Sequence, residues 1–525
     1  MPQEKNLTML CDFYELTMAY GYFKTGLCNK ITYFDVFFRG IPDNGGFAIA
    51  AGLEQIVDYV KNLHFSPQDI EYLRGKGLFD EEFLNYLKEF RFTGDIYAIP
   101  EGTPVFPYEP LITVCAPAIE AQLIETYLLL QINHQSLIAT KASRIVRSAQ
   151  GRAVLEFGSR RAQGGDGAVL GARAAYIGGC AGTACTLTDE LYGVPAGGTM
   201  AHSWVQMFDT EYDAFRTYCE IYPHNATLLV DTYDTLRSGV PNAIRVFKEI
   251  LLPQGITDFG IRLDSGDISY LSKKARKMLD EAGLTSCKIV ASNSLDEYLI
   301  RDLMMQGAQI DTFGVGERLI TAKSTPVFGG VYKLAAVEDE DGTIRPKIKI
   351  SENTVKITNP HFKKVYRFYD KESGKALAVF TRFRISSGVG PAPARSAGSM
   401  SARNSRLPSP PAMGEKSRAL IFQPSVGTKS AMDCSTASCT PGLVTTPPLP
   451  MLARPASNWG LISASTRPFS PNREKSPGRI SRMEIKDTSI TASVGSGSKR
   501  STGRRRALIP SMLTTRGCFL RLASN

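Results

Sequence analysis

The stretch Ala153-Val154-Leu155-Glu156-Phe157-Gly158-Ser159-Arg160-Arg161 sets the reading of the fold. A short, mostly apolar run passes into a glycine and then into small and basic residues, with helical patterns on either side. A buried parallel strand reads this way, because helices cover both of its faces. The same format recurs at Ala175-Tyr176-Ile177, Gly198-Thr199-Met200-Ala201, Thr227-Leu228-Leu229-Val230, Phe259-Gly260-Ile261-Arg262-Leu263, Lys288-Ile289-Val290-Ala291, Asp311-Thr312-Phe313 and Gly330-Val331-Tyr332. Eight runs about 20 to 30 residues apart predict an α/β protein, with an irregular (β/α)8-type barrel over residues 151–335. A doubly wound sheet is the alternative, but no glycine fingerprint follows a first strand.

Working outward, residues 1–150 predict an N-terminal α+β domain that ends in a long connecting helix. Residues 8–22 look helical, 31–39 form a strand, and helical patterns follow at 52–62, 67–75 and 80–89. Residues 94–116 are broken by Pro and Gly into short strands, and the long helix spans roughly 118–150. The regular pattern stops near Ala378-Val379-Phe380, as if translation had entered another reading frame. Residues 381–525 contain 25 Ser and neither Tyr nor His, although the protein has 21 Tyr. Neither helical nor strand periodicity is sustained there. Such a segment buries too little apolar area to offset its chain entropy and is predicted to be disordered.

The charge is divided in the same way. Over 525 residues, 61 Lys+Arg and 51 Asp+Glu give +10, yet residues 381–525 alone carry +17, leaving −7 on the rest. The basic character belongs to the tail, which rules out a nucleic-acid reading of the main body based on pI alone. Arg504-Arg505-Arg506 could touch a polyanion nonspecifically or be a solvated run. No apolar region follows a basic start at Met1-Pro2-Gln3-Glu4-Lys5, and no window of 18 residues is apolar and uncharged. Neither a signal peptide nor a membrane span is expected. The ten cysteines are scattered, none as CxxC, which suits reduced thiols in a cytoplasmic protein.

In a βα-barrel the chemistry lies at the C-terminal ends of the strands. Arg160 and Arg161 can hold phosphate or carboxylate by bidentate bonds, or form a surface salt-bridge pair. Gly197-Gly198-Thr199-Met200-Ala201-His202-Ser203 offers glycines for close approach, a hydroxyl, and a histidine able to act as nucleophile or proton carrier. Asp231, Asp234, Asp264 and Asp267 could hold Mg2+ or accept ribose hydroxyls; Asp267 could equally cap a helix. Ser292-Asn293-Ser294 ends the sixth run. Gly314-Val315-Gly316-Glu317 follows the seventh, where barrels commonly bind phosphate. Together these groups suit a phosphorylated sugar with a metal.

Several blocks in order resemble the bacterial nicotinate phosphoribosyltransferase family: Tyr14-Glu15-Leu16-Thr17-Met18, Phe37-Phe38-Arg39, Gly46-Phe47-Ala48-Ile49, Ala51-Gly52-Leu53-Glu54, Glu156-Phe157-Gly158-Ser159-Arg160-Arg161, Gly198-Thr199-Met200-Ala201-His202-Ser203, Arg262-Leu263-Asp264-Ser265-Gly266-Asp267 and Phe313-Gly314-Val315-Gly316. The resemblance covers about residues 6–380. It implies a type II phosphoribosyltransferase-like barrel, with residues 336–380 returning onto the N-terminal domain. The implied reaction joins nicotinate to phosphoribosyl pyrophosphate, with ATP as co-substrate, Mg2+ as cofactor and NAD salvage as the setting. His202 matches the histidine transiently phosphorylated by ATP. Tyr14, Thr199 and Arg262 match nicotinate-binding positions, with Tyr14 reaching the site from the other subunit of a homodimer. Gly314 and Gly316 match the loop that holds the ribose phosphate. Arg160, Arg161, Ser292 and Asn293 are candidates for phosphate or ribose, and Asp264 and Asp267 for metal or ribose. Nicotinamide as the base, or a ligand-binding barrel whose tail binds polyanions, are the competing readings; an arginine facing the ring substituent favours the carboxylate.

Overall fold

Residues 31–38, ITYFDVFF, carry aromatic or β-branched side chains at nearly every position, and the chain buries seven of the eight. Such a run belongs in the middle of a sheet covered on both faces. A computed structural model of the chain describes residues 6–353, 356–374, 376–383 and 520–522. Its strands are β1 (Ile31–Phe38), β2 (Ala48–Ile49), β3 (Asp95–Ala98), β4 (Pro104–Val105) and β5 (Ile112–Pro117), then β6 (Ala153–Glu156), β7 (Gly182–Thr183), β8 (Thr227–Leu229), β9 (Gly260–Leu263), β10 (Lys288–Ala291) and β11 (Thr312–Val315). They end with β12 (Gly330–Glu338), β13 (Ile344–Pro346), β14 (Lys363–Tyr369), β15 (Ala376–Phe383) and β16 (Leu520–Leu522).

Two six-stranded sheets organise twelve of these strands, while β2 pairs with β4 and β14 with β15. The first is antiparallel, in the order β13-β12-β1-β5-β3-β16. The second is parallel, in the order β7-β6-β11-β10-β9-β8, with helices in its crossovers. The helix Glu125–Ser148 touches β12 of the first sheet and β6 of the second, and packs on the helices Gly164–Ile177 and Glu297–Met305. A buried ion cluster pins it there. Lys141 Nζ lies 2.8 Å from Glu297 Oε2, 3.4 Å from Asp43 Oδ2 and 2.7 Å from Ser324 Oγ. Arg144 Nη1 reaches the same Asp43 oxygen at 3.0 Å. After β12 the chain packs on the first sheet: Phe362 meets the rings of Tyr33 and Tyr97, and Lys363 Nζ pairs with buried Asp35 at 2.5 Å.

The parallel α/β character is as expected, but the strand set differs. The sheet has six strands, with β7 and β8 at its two edges, and no eight-stranded closure among the described residues. Ala175-Tyr176-Ile177 is the end of the helix Gly164–Ile177; the strand there is Gly182–Thr183, too short to carry an apolar signature. Gly198-Thr199-Met200-Ala201 joins no ladder; the nearby edge contact is a bridge between Thr183 and Ala196. Gly330-Val331-Tyr332 is a strand, but it pairs antiparallel with β1 in the first sheet. The predicted long helix is interrupted at Ile124, between Ala118–Leu123 and Glu125–Ser148. Of the segment predicted to be disordered, residues 381–383 complete β15 and 520–522 form β16 against β3. The rest of it, including Arg504-Arg505-Arg506, lies outside the described residues. No helix among the described residues is long and apolar enough to cross a membrane.

Candidate active site

Strand β9 reads Gly-Ile-Arg-Leu and runs straight into Asp264. Residues two apart on a strand share a face, so Arg262 and Asp264 point the same way off its end. Their charges meet: Arg262 Nη2 lies 3.0 Å from Asp264 Oδ1. Arg262 Nη1 donates to Thr199 Oγ1 at 3.1 Å and to the Met200 carbonyl at 3.2 Å, and Nε donates to Ser292 Oγ at 2.9 Å. The guanidinium carbon stands 5.8 Å from the centre of the Phe157 ring.

His202 opens the helix His202–Gln206 and faces the same carboxylate. Its Nε2 is 3.9 Å from Asp264 Oδ2, and its Nδ1 is 3.1 Å from Thr232 Oγ1. The imidazole is 39% exposed while Arg262 is 15% exposed, so histidine lines the mouth and arginine the floor. Asp231 builds the turn behind them. Its Oδ2 accepts from the Asp264 backbone N–H at 2.9 Å and from Ser265 Oγ at 2.6 Å, and its buried Oδ1 has no hydrogen-bond partner.

The glycines act chiefly through space. A Cβ on Gly314 would stand 2.5 Å from the Phe157 ring, and one on Gly158 would stand 2.6 Å from Ile320 Cβ. Both distances are below any real contact, so these positions let β6 and β11 close around Phe157. Gly316 caps the short helix Glu317–Ile320. Asn293 and Ser294, just past β10, have φ of 88° and 36°, left-handed values unusual for residues with a side chain. Arg160 and Arg161 sit exposed on the turn Ser159–Arg161 after β6. Glu317 stands near them, its carboxyl held below the ordinary range by Lys323 and, in smaller part, by Arg161.

The structure therefore gathers Thr199, Arg262, Asp264 and Ser292 into one hydrogen-bonded cluster at the strand ends, with His202 3.9 Å from Asp264. Asp267 does something else: its Oδ1 accepts from the Tyr270 N–H at 3.0 Å and caps the helix Ile268–Glu281. Tyr14 is apart from the cluster, exposed on the helix Phe13–Lys24 beside exposed Leu10, Phe13 and Met18. Burial, and then Glu125, raise its hydroxyl pKa. Phe157 and Thr232 enter the cluster without having been assigned roles from sequence, whereas Asp231, one of the four aspartates read as metal or ribose ligands, holds the turn at Asp264. Phe157 and Thr232 had a signal, since each lies within three residues of the end of its strand. As for a metal, no group of three or more His, Cys, Asp or Glu side chains gathers among the described residues. Asp264 Oδ2 and the unpartnered Asp231 Oδ1 nevertheless fit Mg2+ in its usual mode, in which one or two carboxylates act together with substrate phosphates and water.

A model of the nicotinate phosphoribosyltransferase (NAPRTase) N-terminal domain matches residues 9–133. The nicotinate phosphoribosyltransferase of Bacillus subtilis (strain 168) is 48% identical over 371 residues, which are 71% of this chain and 75% of that protein. That of Caenorhabditis elegans is 37% identical over 425 residues, covering 69% and 74%. The crystal structure of human nicotinic acid phosphoribosyltransferase is similar, with a TM-score of 0.61 at 29% identity over 71% of this chain and 81% of that one. The fold is shared with nicotinate-nucleotide pyrophosphorylase from Pyrococcus furiosus, at a TM-score of 0.56 and 24% identity, covering 73% and 85%. With identity at this level over three quarters of the Bacillus protein, the chain belongs to the nicotinate phosphoribosyltransferase family.

Proposed function

We propose that the chain transfers the phosphoribosyl group of phosphoribosyl pyrophosphate to nicotinate, giving nicotinate mononucleotide and pyrophosphate, with ATP hydrolysis coupled through His202. The observation that carries this reading is the continuous line Thr199–Arg262–Asp264–His202, which sets a cation for a ring carboxylate close to a nucleophile for a phosphoryl group. Phe157 supports it, since an aromatic face under the arginine suits a flat pyridine ring.

The chemistry follows from the residues. If Nδ1–H donates to Thr232, the lone pair of His202 lies on Nε2. Nε2 forms a bond to the γ-phosphorus of ATP as the bond to the bridging oxygen breaks, and that electron pair leaves with ADP. Water later attacks that phosphorus, the P–N bond breaks and phosphate leaves, which returns the neutral imidazole and completes ATP hydrolysis. Sugar transfer is a separate event. The C–O bond to pyrophosphate breaks with oxocarbenium character at the anomeric carbon, and the ring nitrogen of nicotinate supplies the new bond. In this reading Arg160 and Arg161 offset the negative charge of the phosphates, and Gly314, Gly316 and Asn293 surround the ribose phosphate. Mg2+, held by Asp264 with substrate phosphates, supplies charge neutralisation when bound. The setting is NAD salvage in the cytoplasm. The working unit is a homodimer, in which exposed Tyr14 and its apolar neighbours meet the other subunit's site.

The test is product formation from nicotinate, phosphoribosyl pyrophosphate and Mg2+, with and without ATP. We expect ATP to stimulate the wild type and to have no effect on His202→Ala. Arg262→Ala should raise the KM for nicotinate about 10- to 100-fold, as expected for a charged hydrogen bond. Equal ATP stimulation in both proteins would remove His202 from the coupling.

A further inference from the structure

We propose that Ser292 is a positioning residue for the base-binding arginine, not a phosphate contact; the inference rests on the function proposed above. A guanidinium has five N–H donors in one plane. In Arg262 the Nε donor goes to Ser292, the two Nη1 donors go to Thr199 and to the Met200 carbonyl, and one Nη2 donor goes to Asp264. A single Nη2 N–H remains for a ligand.

The Ser292 hydroxyl is spent on both sides. It accepts from Arg262 Nε at 2.9 Å and donates to Asp264 Oδ1 at 2.5 Å. Its backbone N–H goes to the Leu263 carbonyl at 2.9 Å, and the residue is 3% exposed. A phosphate arriving from solvent therefore meets no free donor on Ser292. The strand register explains the placement. Val290 stands opposite Arg262 and Ala291 opposite Leu263, so Ser292 comes level with Asp264. Arg262, Ser292 and Asp264 close a three-membered ring of hydrogen bonds across two neighbouring strand ends.

That ring fixes the guanidinium plane and turns its last N–H to the side where Thr199 stands. The ring carboxylate then takes one N–H from Arg262 and the hydroxyl hydrogen of Thr199, which turns to it from the long 3.4 Å bond it donates to the Met200 carbonyl. Without the Ser292 hydroxyl, one edge of the guanidinium is loose; Asp264 loses a donor only at Oδ1 and keeps Oδ2, the oxygen that would face Mg2+, so the base-binding end suffers more than the phosphate end.

The experiment measures calorimetric Kd values of full-length wild type, Ser292→Ala and Arg262→Ala for nicotinate and for Mg2+-phosphoribosyl pyrophosphate, together with steady-state rates and Tm. For Ser292→Ala we expect the Kd and KM for nicotinate to rise about tenfold, the loss of one hydrogen bond. The Kd for phosphoribosyl pyrophosphate and the saturated kcat should stay within about threefold. A rise confined to phosphoribosyl pyrophosphate would make Ser292 a phosphate contact and overturn the proposal. No change in either Kd, or a fall in Tm with kcat and both Kd values affected alike, would overturn it too. If Arg262→Ala binds nicotinate as tightly as wild type, the assignment of Arg262 to the base fails instead.

Discussion

One carboxyl in the N-terminal helix stands on the edge of ionisation at neutral pH. Glu15 is fully buried; its Oε1 accepts from the N–H and hydroxyl of Thr126 at the start of the helix Glu125–Ser148, and its Oε2 has no partner. Burial is the main reason its pKa is pushed up to about 7, with Glu125 adding to it against the Thr126 bonds. The unfolded chain releases this proton near pH 4.5, whereas the folded chain keeps it to about pH 7. Between those values the folded state binds more protons, so this residue makes stability fall as pH rises. Denaturant midpoints at pH 5, 6 and 7 should decline in wild type, and the decline should be shallower in Glu15→Gln. Parallel curves would show that Glu15 ionises normally. Nothing in the sequence pointed to this residue beyond its place in a family block, because desolvation is a property of the packed interior. Arg262, by contrast, was legible as a site residue through the family block it opens, Arg262-Leu263-Asp264-Ser265-Gly266-Asp267.

The elements of the parallel sheet were legible where the strand carried its own apolar run, as at Val154-Leu155, Leu228-Leu229 and Ile289-Val290. They were not legible where the strand is two residues long, or where an alanine-rich helix end such as Ala174-Ala175-Tyr176-Ile177 mimics one. The position of Gly330-Val331-Tyr332 was missed for another reason: local pattern gives the strand but not its sheet. Between β6 and β11 the packing leaves no room for a methyl group at Gly314. Gly314→Ala should therefore lower stability by about 1–3 kcal/mol through overpacking against Phe157. Because Phe157 lies under Arg262, the KM for nicotinate should rise with it. Thermal unfolding and kinetics on the same preparation check both, and an unchanged Tm would mean that Phe157 moves aside freely.

At the scale of the molecule, the two sheets are tied by the ion cluster that Lys141 brings together from the turn at Asp43, the helix at Glu297 and the loop at Ser324. Lys141 is 3% exposed, and Asp43 and Glu297 are 8% and 7% exposed. Removing the ammonium leaves two buried carboxylates with less compensation, so Lys141→Ala should cost about 3–5 kcal/mol. Lys141→Ala together with Asp43→Asn and Glu297→Gln should recover part of that loss, which chemical denaturation will report. No part of this cluster was legible in the sequence, since its members come from segments up to 281 residues apart.

The pairing of β12 with β1 has a consequence for how the protein is made. Phe38 finds its partner Gly330 about 300 residues later. At about 5–20 residues per second, a ribosome takes roughly 15 to 60 seconds to cover that distance. Once β5 (Ile112–Pro117) has been made, and until β12 follows, β1 has β5 on one side and an open, aromatic edge on the other. The nascent chain must shield that edge while the whole parallel sheet is synthesised, so the N-terminal half, though first to emerge, is the last to be finished.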